Sequence, residues 1–510
     1  MQFNRWLRQH LQWVLILVLV SVSAGDLAAQ PAQPLDSDAI DSFVESQLQA
    51  HRIPGLALAI TQGDEIVHLR GYGTAGDGRP MTPDTPLHLG SVSKSFTALA
   101  IMQLVEQGQV DLDAPVQTYL PWFTLADDVA ARAITVRHLL HHTSGLSDLE
   151  YVPTFPDDTT LQQAVEDLDR VEPTAAPGEE FYYFNQNYST LGLIVETVSD
   201  QPYGEYVQEH IFAPLGMEQS AAQTAAIAGP DLAQGHNTFF GFPIAREQEV
   251  ADYWMPEGGI VSSAEDMAHY LIAQNNGGLY DGERVLSEEG ITAMHTPGSG
   301  TDGAYAMGWD IGEYKGRSLV FHGGLMENFL ADVTLLPEQD YGTAILINQS
   351  GLLPKMVALP QLQAGIQDAL TGAEPAGGMA LSTVYWIVIA VVLITIFFDI
   401  RWWRVNFPAW RRQAPEMSNR ALFLGVAREF VWPAVLFFGV PALLTALEGG
   451  RGIPWGRMFG VAPDLSLLLW YGILMGVAKG LAKAWMVWRQ RRPTLSIDAR
   501  GRAVEAFRHE

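Results

Sequence analysis

Apolar residues follow three rhythms along this chain. Between Asp36 and Gln49, Ile40, Phe43, Val44 and Leu48 recur at helical spacing, which predicts an amphipathic helix. Gly55 to Thr61 and Ile66 to Tyr72 read as two strands joined at Gly63-Asp64. Phe96 to Glu106 predicts a helix closed by Gly108, and Ala133 to Leu140 and Asn187 to Val198 predict two more. Strand patterning returns at Ser318 to Phe321, Leu330 to Leu336 and Thr343 to Asn348. The third rhythm is continuous apolarity. Pro375 to Phe398 and Phe430 to Leu447 carry no charge, and Leu465 to Trp488 is interrupted only by Lys479 and Lys483. Each is long enough to span a bilayer.

The order of helix, strands, many helices, then strands predicts an α+β domain whose antiparallel sheet joins both ends of its sequence. The expected division is a signal at 1–29, an extracytoplasmic domain at 30–370, a linker at 371–380, an all-α three-helix transmembrane domain at 381–490 and a cytoplasmic tail at 491–510. Arg5 and Arg8 before the apolar run Leu11 to Val20, with small residues after it, form the signal pattern. Retention as an uncleaved anchor is the alternative.

Charge sharpens this division. Residues 30–380 hold 12 basic and 48 acidic side chains, whereas residues 381–510 hold 16 basic and 8 acidic ones. An acidic domain repels nucleic acid backbones, so no nucleic-acid partner is expected. Arg401, Arg404, Arg411, Arg412 and Arg420 lie between the first and second spans, and Arg489, Arg491 and Arg492 follow the third. The positive-inside rule therefore puts that loop and the carboxyl end in the cytoplasm, with the acidic domain outside a bacterial inner membrane. Lys479 and Lys483 sit near one end of their span, where their ammonium groups can reach the interface. Gly472, Gly476 and Gly480 offer a close helix-packing face, which leaves a homodimer open, or are simply membrane-helix glycine enrichment. With no cysteine, disulfides, a thiol nucleophile and thiolate metal sites are excluded.

Ser91-Val92-Ser93-Lys94 opens the helix after Leu89-Gly90. A separation of three places Ser91 and Lys94 on one helical face, and the helix amino end offers free N–H groups to a developing oxyanion. Such a pair also arises as an ordinary helix cap. In Tyr183-Phe184-Asn185, a Tyr hydroxyl beside a lysine can act as general base, and Asn185 can bond the lysine and a substrate amide. Aromatic-rich segments otherwise fill cores. At the end of a strand, His322-Gly323-Gly324 gives a substrate backbone room to lie alongside, with the N–H of Leu325 as second oxyanion donor. His138, His141 and His142, with Asp148, invite a metal reading, although hydrogen bonding around the site wall explains them better. Glu257 and Glu327 are acidic candidates for a substrate amino group or plain solvated carboxylates.

Together these elements resemble the serine beta-lactamase and penicillin-binding-protein superfamily. The pattern is nearest to class C beta-lactamases and their D,D-peptidase, D-aminopeptidase and esterase relatives. The resemblance covers residues 36–370 and includes Leu89 to Thr97, Val136 to Leu146, Pro177-Gly178, Gly258-Gly259-Ile260 with Ser262 and Asp266, and Gly308-Trp309. It implies Ser91 as the acylated nucleophile, Lys94 as its proton partner, Tyr183 as base and Asn185 as positioning group. His322 stands where beta-lactamases usually carry lysine, and a less firm hold on a substrate carboxylate favours another amide or ester over beta-lactams. Asn328, where glycine is common, would narrow the pocket or read the substrate, beside Gly324 and Leu325. No cofactor or metal is implied.

The layout of signal, hydrolase domain and three spans is also similar to that of the colibactin-maturing peptidase and its relatives. This implies removal of an N-acyl-D-asparagine-like cap from an exported natural-product precursor. The expected partners are a small-molecule or peptide substrate acylated with a D-amino acid, the lipid bilayer and an exporter. A wall D,D-peptidase, a D-aminopeptidase, a weak beta-lactamase, an esterase, or a non-catalytic binding or sensor protein are the alternatives.

Overall fold

The computed structural model describes residues 35–148, 155–156, 158–227, 231–247, 249–447, 455–490, 494–497 and 503–506. The expected signal lies outside these residues. The chain divides into two compact units. One runs to Ser382 with 446–452, and the other holds Thr383–Thr445 and Ile453–Glu510.

In strand β1 (Gly55–Gln62), Leu56, Leu58 and Ile60 alternate with Ala57 and Ala59, and both sets are fully buried. The larger set faces a cluster with Ile40, Phe43, Val44, Leu362 and Ile366, and the alanines face a second cluster with Met267 and Leu271. Period-two alternation thus gives the strand two apolar faces, and helices cover both. β1 pairs with β2 (Glu65–Gly76), which leads to β3 (Arg79–Pro80). The remaining strands come from the far end of the unit: β4 (Asp310–Tyr314), β5 (Arg317–Leu325), β6 (Leu330–Leu336) and β7 (Tyr341–Ile347). The sheet order is β4-β5-β6-β7-β1-β2-β3, antiparallel throughout. As the pattern predicts, the two ends of the domain meet in one sheet, at β1 and β7.

Helix α1 (Ser37–His51) starts where the Asp36 carboxylate accepts the Ala39 N–H. With α5 (Leu359–Leu370) it covers the large-residue face. The opposite face carries α4 (Ala264–Asn275) and the helical region containing α2 (Ser93–Glu106) and α3 (Asn185–Ser199). The helix expected over Ala133 to Leu140 is instead two, Asp128–Ala133 and Val136–Leu140. Ile134 turns extended, and Thr135 recaps the chain: its Oγ accepts the His138 N–H and its own N–H is taken by His138 Nδ1. Strand β4 had no counterpart in the apolar pattern, because its residues are only partly buried.

The other unit holds three helices long and apolar enough to cross a membrane: α6 (Leu381–Glu416), α7 (Asn419–Thr445) and α8 (Pro463–Gln490). Helix α6 begins at Leu381, within the uncharged run that opens at Pro375, and continues through the arginine-rich stretch expected to be a loop. A Cβ on Gly476 would stand 2.3 Å from Pro433, and one on Gly480 2.4 Å from Phe430. The glycine face is therefore used within the chain, against α7. Lys479 pairs with Asp399 of α6, which also accepts the Tyr471 hydroxyl at 3.0 Å, while Lys483 pairs with Glu429 of α7 at 2.6 Å.

Candidate active site

Gly90 makes the site possible. Its φ is 55°, a left-handed conformation that glycine adopts freely. A Cβ there would lie 2.7 Å from the Leu325 nitrogen, and a Cβ on Gly324 would lie 1.9 Å from the Leu89 oxygen. The two glycines let β5 run against the turn that carries Ser91, so the Leu325 N–H comes beside that turn. Ser91 sits in a tight turn, Gly90–Val92, that opens directly into α2.

Lys94, one turn later, is fully buried. Its Nζ donates to Ser91 Oγ at 3.3 Å, to Asn185 Oδ1 at 2.9 Å and to the peptide oxygen of Glu257. Three acceptors match the three N–H groups of an ammonium. The same Nζ lies 4.9 Å from the ring centre of Tyr183 and 5.7 Å from that of Tyr188. Asn185 is the first residue of α3, after the extended Phe184, so the start of that helix fixes where its amide points.

Behind Tyr183 stands His142, fully buried with φ 55°. Its ring lies 4.2 Å from the Tyr183 ring at 31°. Its Nδ1 accepts from the Phe184 N–H at 3.3 Å and faces the Asn187 amide nitrogen at 3.1 Å. Two donors on Nδ1 place the ring proton on Nε2. The three neighbouring histidines therefore separate into different roles. His138 closes a helix cap, His142 holds the Tyr183 segment, and burial pushes the His141 imidazole down to about 4.

His322 is buried on β5. Its Nδ1 donates to the Gly323 carbonyl at 2.9 Å, and its Nε2 meets the Tyr305 hydroxyl at 3.3 Å, which makes Tyr305 the donor. Burial raises the Tyr305 phenol far above its ordinary range, with the neighbouring Tyr188 and Tyr183 adding to it, so it stays protonated. The His322 Nε2 that a substrate carboxylate would use is thus already engaged by Tyr305. Gly323 is exposed, and a Cβ there would touch nothing within 4 Å, which leaves room alongside β5.

The other candidates take mainly local roles. Asn328 Nδ2 donates to the Arg246 carbonyl at 2.8 Å, so this amide ties the β5–β6 turn to a neighbouring hairpin. Glu257 serves Lys94 through its backbone, while its buried carboxylate accepts the Ser189 hydroxyl at 2.8 Å. Glu327 forms a half-exposed surface pair with Arg246. Sequence reasoning missed Tyr305 and the Glu257 carbonyl. Tyr305 lies only three residues before the flagged Gly308-Trp309, but no spacing rule ties it to His322.

The fold and the Ser91–Lys94–Asn185 cluster define a beta-lactamase/transpeptidase-like protein, a class whose members are serine hydrolases. The chain belongs to the beta-lactamase family, whose model matches residues 40–367. It is 30% identical over 333 residues to Protein flp of Staphylococcus aureus (strain MW2), covering 62% of this chain and 64% of that protein. It is 28% identical to Penicillin-binding protein 4 of Amycolatopsis lactamdurans, covering 58% of this chain and 81% of the relative. The octameric penicillin-binding protein homologue from Pyrococcus abyssi superimposes with a TM-score of 0.56 at 27% identity, over 67% of this chain and 78% of that one. EstCE1, a hydrolase with promiscuous acyltransferase activity, shares the fold at a TM-score of 0.57 and 23% identity, over 66% of this chain and 98% of its own.

Proposed function

We propose that the chain is a membrane-anchored serine peptidase or amidase with its catalytic unit outside the cytoplasm and its carboxyl end inside. Its reaction removes an N-acyl-D-amino-acid cap of the D-asparagine kind from an exported precursor. The observation carrying this reading is a buried Lys94 bonded at once to Ser91 and Asn185, in a chain that also bears three membrane-length helices.

In this mechanism Tyr183 acts as the phenolate: Ser91 Oγ attacks the amide carbon and its proton passes to that phenolate oxygen, with the Lys94 ammonium offsetting charge beside both. The N–H groups of Ser91 and Leu325 receive the oxyanion. Collapse breaks the C–N bond, and the proton from Tyr183 goes to the leaving amine. Water then attacks the Ser91 ester, its proton taken by Tyr183, and release of the acid returns a proton to Ser91. Asn185 holds Lys94 and borders the acyl group. Neither a metal nor a cofactor enters these steps.

Likeness to two penicillin-binding proteins favours a second reading, a D,D-peptidase acting on wall peptides. Intact mass and product release distinguish the two. Detergent-purified wild type and Ser91→Ala are exposed to an N-myristoyl-D-Asn amide, an acyl-D-Ala-D-Ala peptide, a cephalosporin and a short-chain ester. Cleavage of the D-Asn amide that vanishes in Ser91→Ala supports the first reading, and turnover of the wall peptide alone moves the assignment to the second. Neither adduct nor turnover from folded protein would sink both.

A further inference from the structure

The catalytic unit exposes an aromatic hairpin that its own core does not need. His236–Phe239 pairs with Phe242–Ala245, joined by Phe240-Gly241. Phe239, Phe242 and Ile244 are 37%, 57% and 52% exposed, and Met356, on the Pro354–Ala358 turn, is 48% exposed. The two turn residues have φ of 49° and 78°. A two-residue turn of that kind favours Asn-Gly or Asp-Gly, and a bulky Phe at positive φ is disfavoured. Turn chemistry alone does not explain why an aromatic ring stands there.

The place of the hairpin supplies a reason. Arg52, at the end of α1, stacks on Phe242 at 4.5 Å and donates to the Gly241 carbonyl at 3.2 Å. Next to it, His51 Nδ1 accepts the N–H of Leu381, the first residue of the first membrane-length helix, at 3.2 Å. The aromatic tip therefore lies beside the point at which this unit's chain passes into its apolar segment. Charge agrees. Of the 12 basic residues between 30 and 380, Arg52 and Arg246 belong to the hairpin and its contact, and Lys355 to the adjoining turn. Arg246 is offset by its pair with Glu327, which leaves Arg52, stacked on Phe242, as the hairpin's own cation for an anionic lipid surface, on a domain with 48 acidic residues.

We propose that this hairpin inserts its aromatic tip into the interface of the bilayer that the chain's own helices cross. The base of the hairpin is tied to the rim of the candidate site. Asn237 Nδ2 donates to the Glu327 carbonyl at 2.9 Å, Asn328 Nδ2 to the Arg246 carbonyl, and Ser350, paired with Asn237, to the Met326 carbonyl at 2.6 Å. Insertion holds the β5–β6 turn at headgroup level. If the hydrolase reading is right, a substrate whose acyl tail stays in the leaflet meets the cleft without leaving the membrane.

Because the chain has no cysteine, a single introduced thiol labels one place. Full-length Phe242→Cys, and separately Ile244→Cys, is labelled with bimane and reconstituted in phosphatidylethanolamine–phosphatidylglycerol vesicles carrying shallow doxyl lipids. Val129→Cys, an isolated exposed apolar position at 68% exposure, is the reference. The hairpin labels are expected to lose about half of their emission while the Val129 label keeps its own. Quenching at both hairpin positions no greater than at Val129 overturns the proposal, whether the labels remain in water or are covered by a second copy. Energy transfer between separately labelled chains identifies the latter. Quenching is read without turnover, so its failure is distinct from failure of the hydrolase assignment.

Discussion

Both units bury lysines, and they treat them oppositely. In the beta-lactamase-like unit, the bonds described for Lys94 run to a hydroxyl, an amide oxygen and a peptide oxygen. In the helical unit, Lys479 and Lys483 are each matched to a carboxylate on another helix. The bond to Ser91 Oγ sets the Lys94 ammonium beside the atom at which the proposed reaction develops charge. A lysine paired with a carboxylate has already spent that charge on holding helices together. Replacing Lys94 by Ala therefore belongs with Ser91→Ala as the largest effect. We expect each to lower kcat/KM by at least about 10⁴-fold on any substrate that wild type turns over, with melting retained. A Lys94→Ala protein within tenfold of wild type would remove the distinction.

Acid separates the units next. Burial pushes His88, His141 and His295 of the beta-lactamase-like unit down to about 4, whereas the described residues of the helical unit contain no histidine. The unfolded chain takes these protons near 6.5 and the folded one does not, so stability is full above that value and falls as pH drops toward 4. Each histidine contributes up to about 3 kcal/mol to this loss. Asp332, raised by burial to about 6, pulls the other way by a similar amount, with smaller contributions from Glu196 and Asp266. His51, His68 and His138, also lowered by burial, add to the loss. The net expectation is a beta-lactamase-like unit weaker by a few kcal/mol at pH 4.5 than at 7.5. Hydrogen-exchange protection factors on the full chain should fall in the sheet peptides on acidification, and equal protection at the two pH values would contradict the balance.

The helical pairs give a smaller effect and the reverse pattern. Lys479→Met leaves the Asp399 carboxylate, 8% exposed, without its partner, and should destabilise the helical unit by about 3 kcal/mol. Adding Asp399→Leu should recover most of that. Turnover of a water-soluble ester per folded molecule should not move. If the single change alters turnover while leaving stability intact, the lysine has a chemical role after all.

What was readable in the sequence follows the same line between local and distant causes. Strands β1, β6 and β7 are legible as short, nearly continuous apolar runs, because both of their faces are buried and only a few polar residues such as Asp332 and Thr343 interrupt them. Ser91 and Lys94 are legible because one helical turn relates them. The partnership of Lys94 with the Glu257 carbonyl is not, since a backbone oxygen leaves no mark in side-chain chemistry. Asp399 and Glu429 escaped for a plainer reason: searching for uncharged runs stops at a charge, and each acid stands immediately outside the run it bounds. The glycines of α8 were visible as a packing face, but only the structure assigns α7 as what they pack against.

His142 tests how finely the candidate site is set. Nothing described for it touches Ser91. Its ring backs Tyr183 and its Nδ1 accepts from the residue after Tyr183, so it acts by positioning. Its φ of 55° adds a second constraint, because most side chains pay for that conformation while Asn tolerates it comparatively well. His142→Ala should lower kcat by about tenfold, worth about 1.4 kcal/mol, with KM little changed, since the loss falls on the orientation of Tyr183. Asn at 142 keeps both an acceptor and the tolerance for left-handed backbone, so it should recover part of that rate. A merely structural residue would lower the amount of folded enzyme in both variants and leave kcat per folded molecule where it was. The split between kcat and KM, together with the partial rescue by Asn, therefore decides whether this histidine serves the chemistry or only the fold.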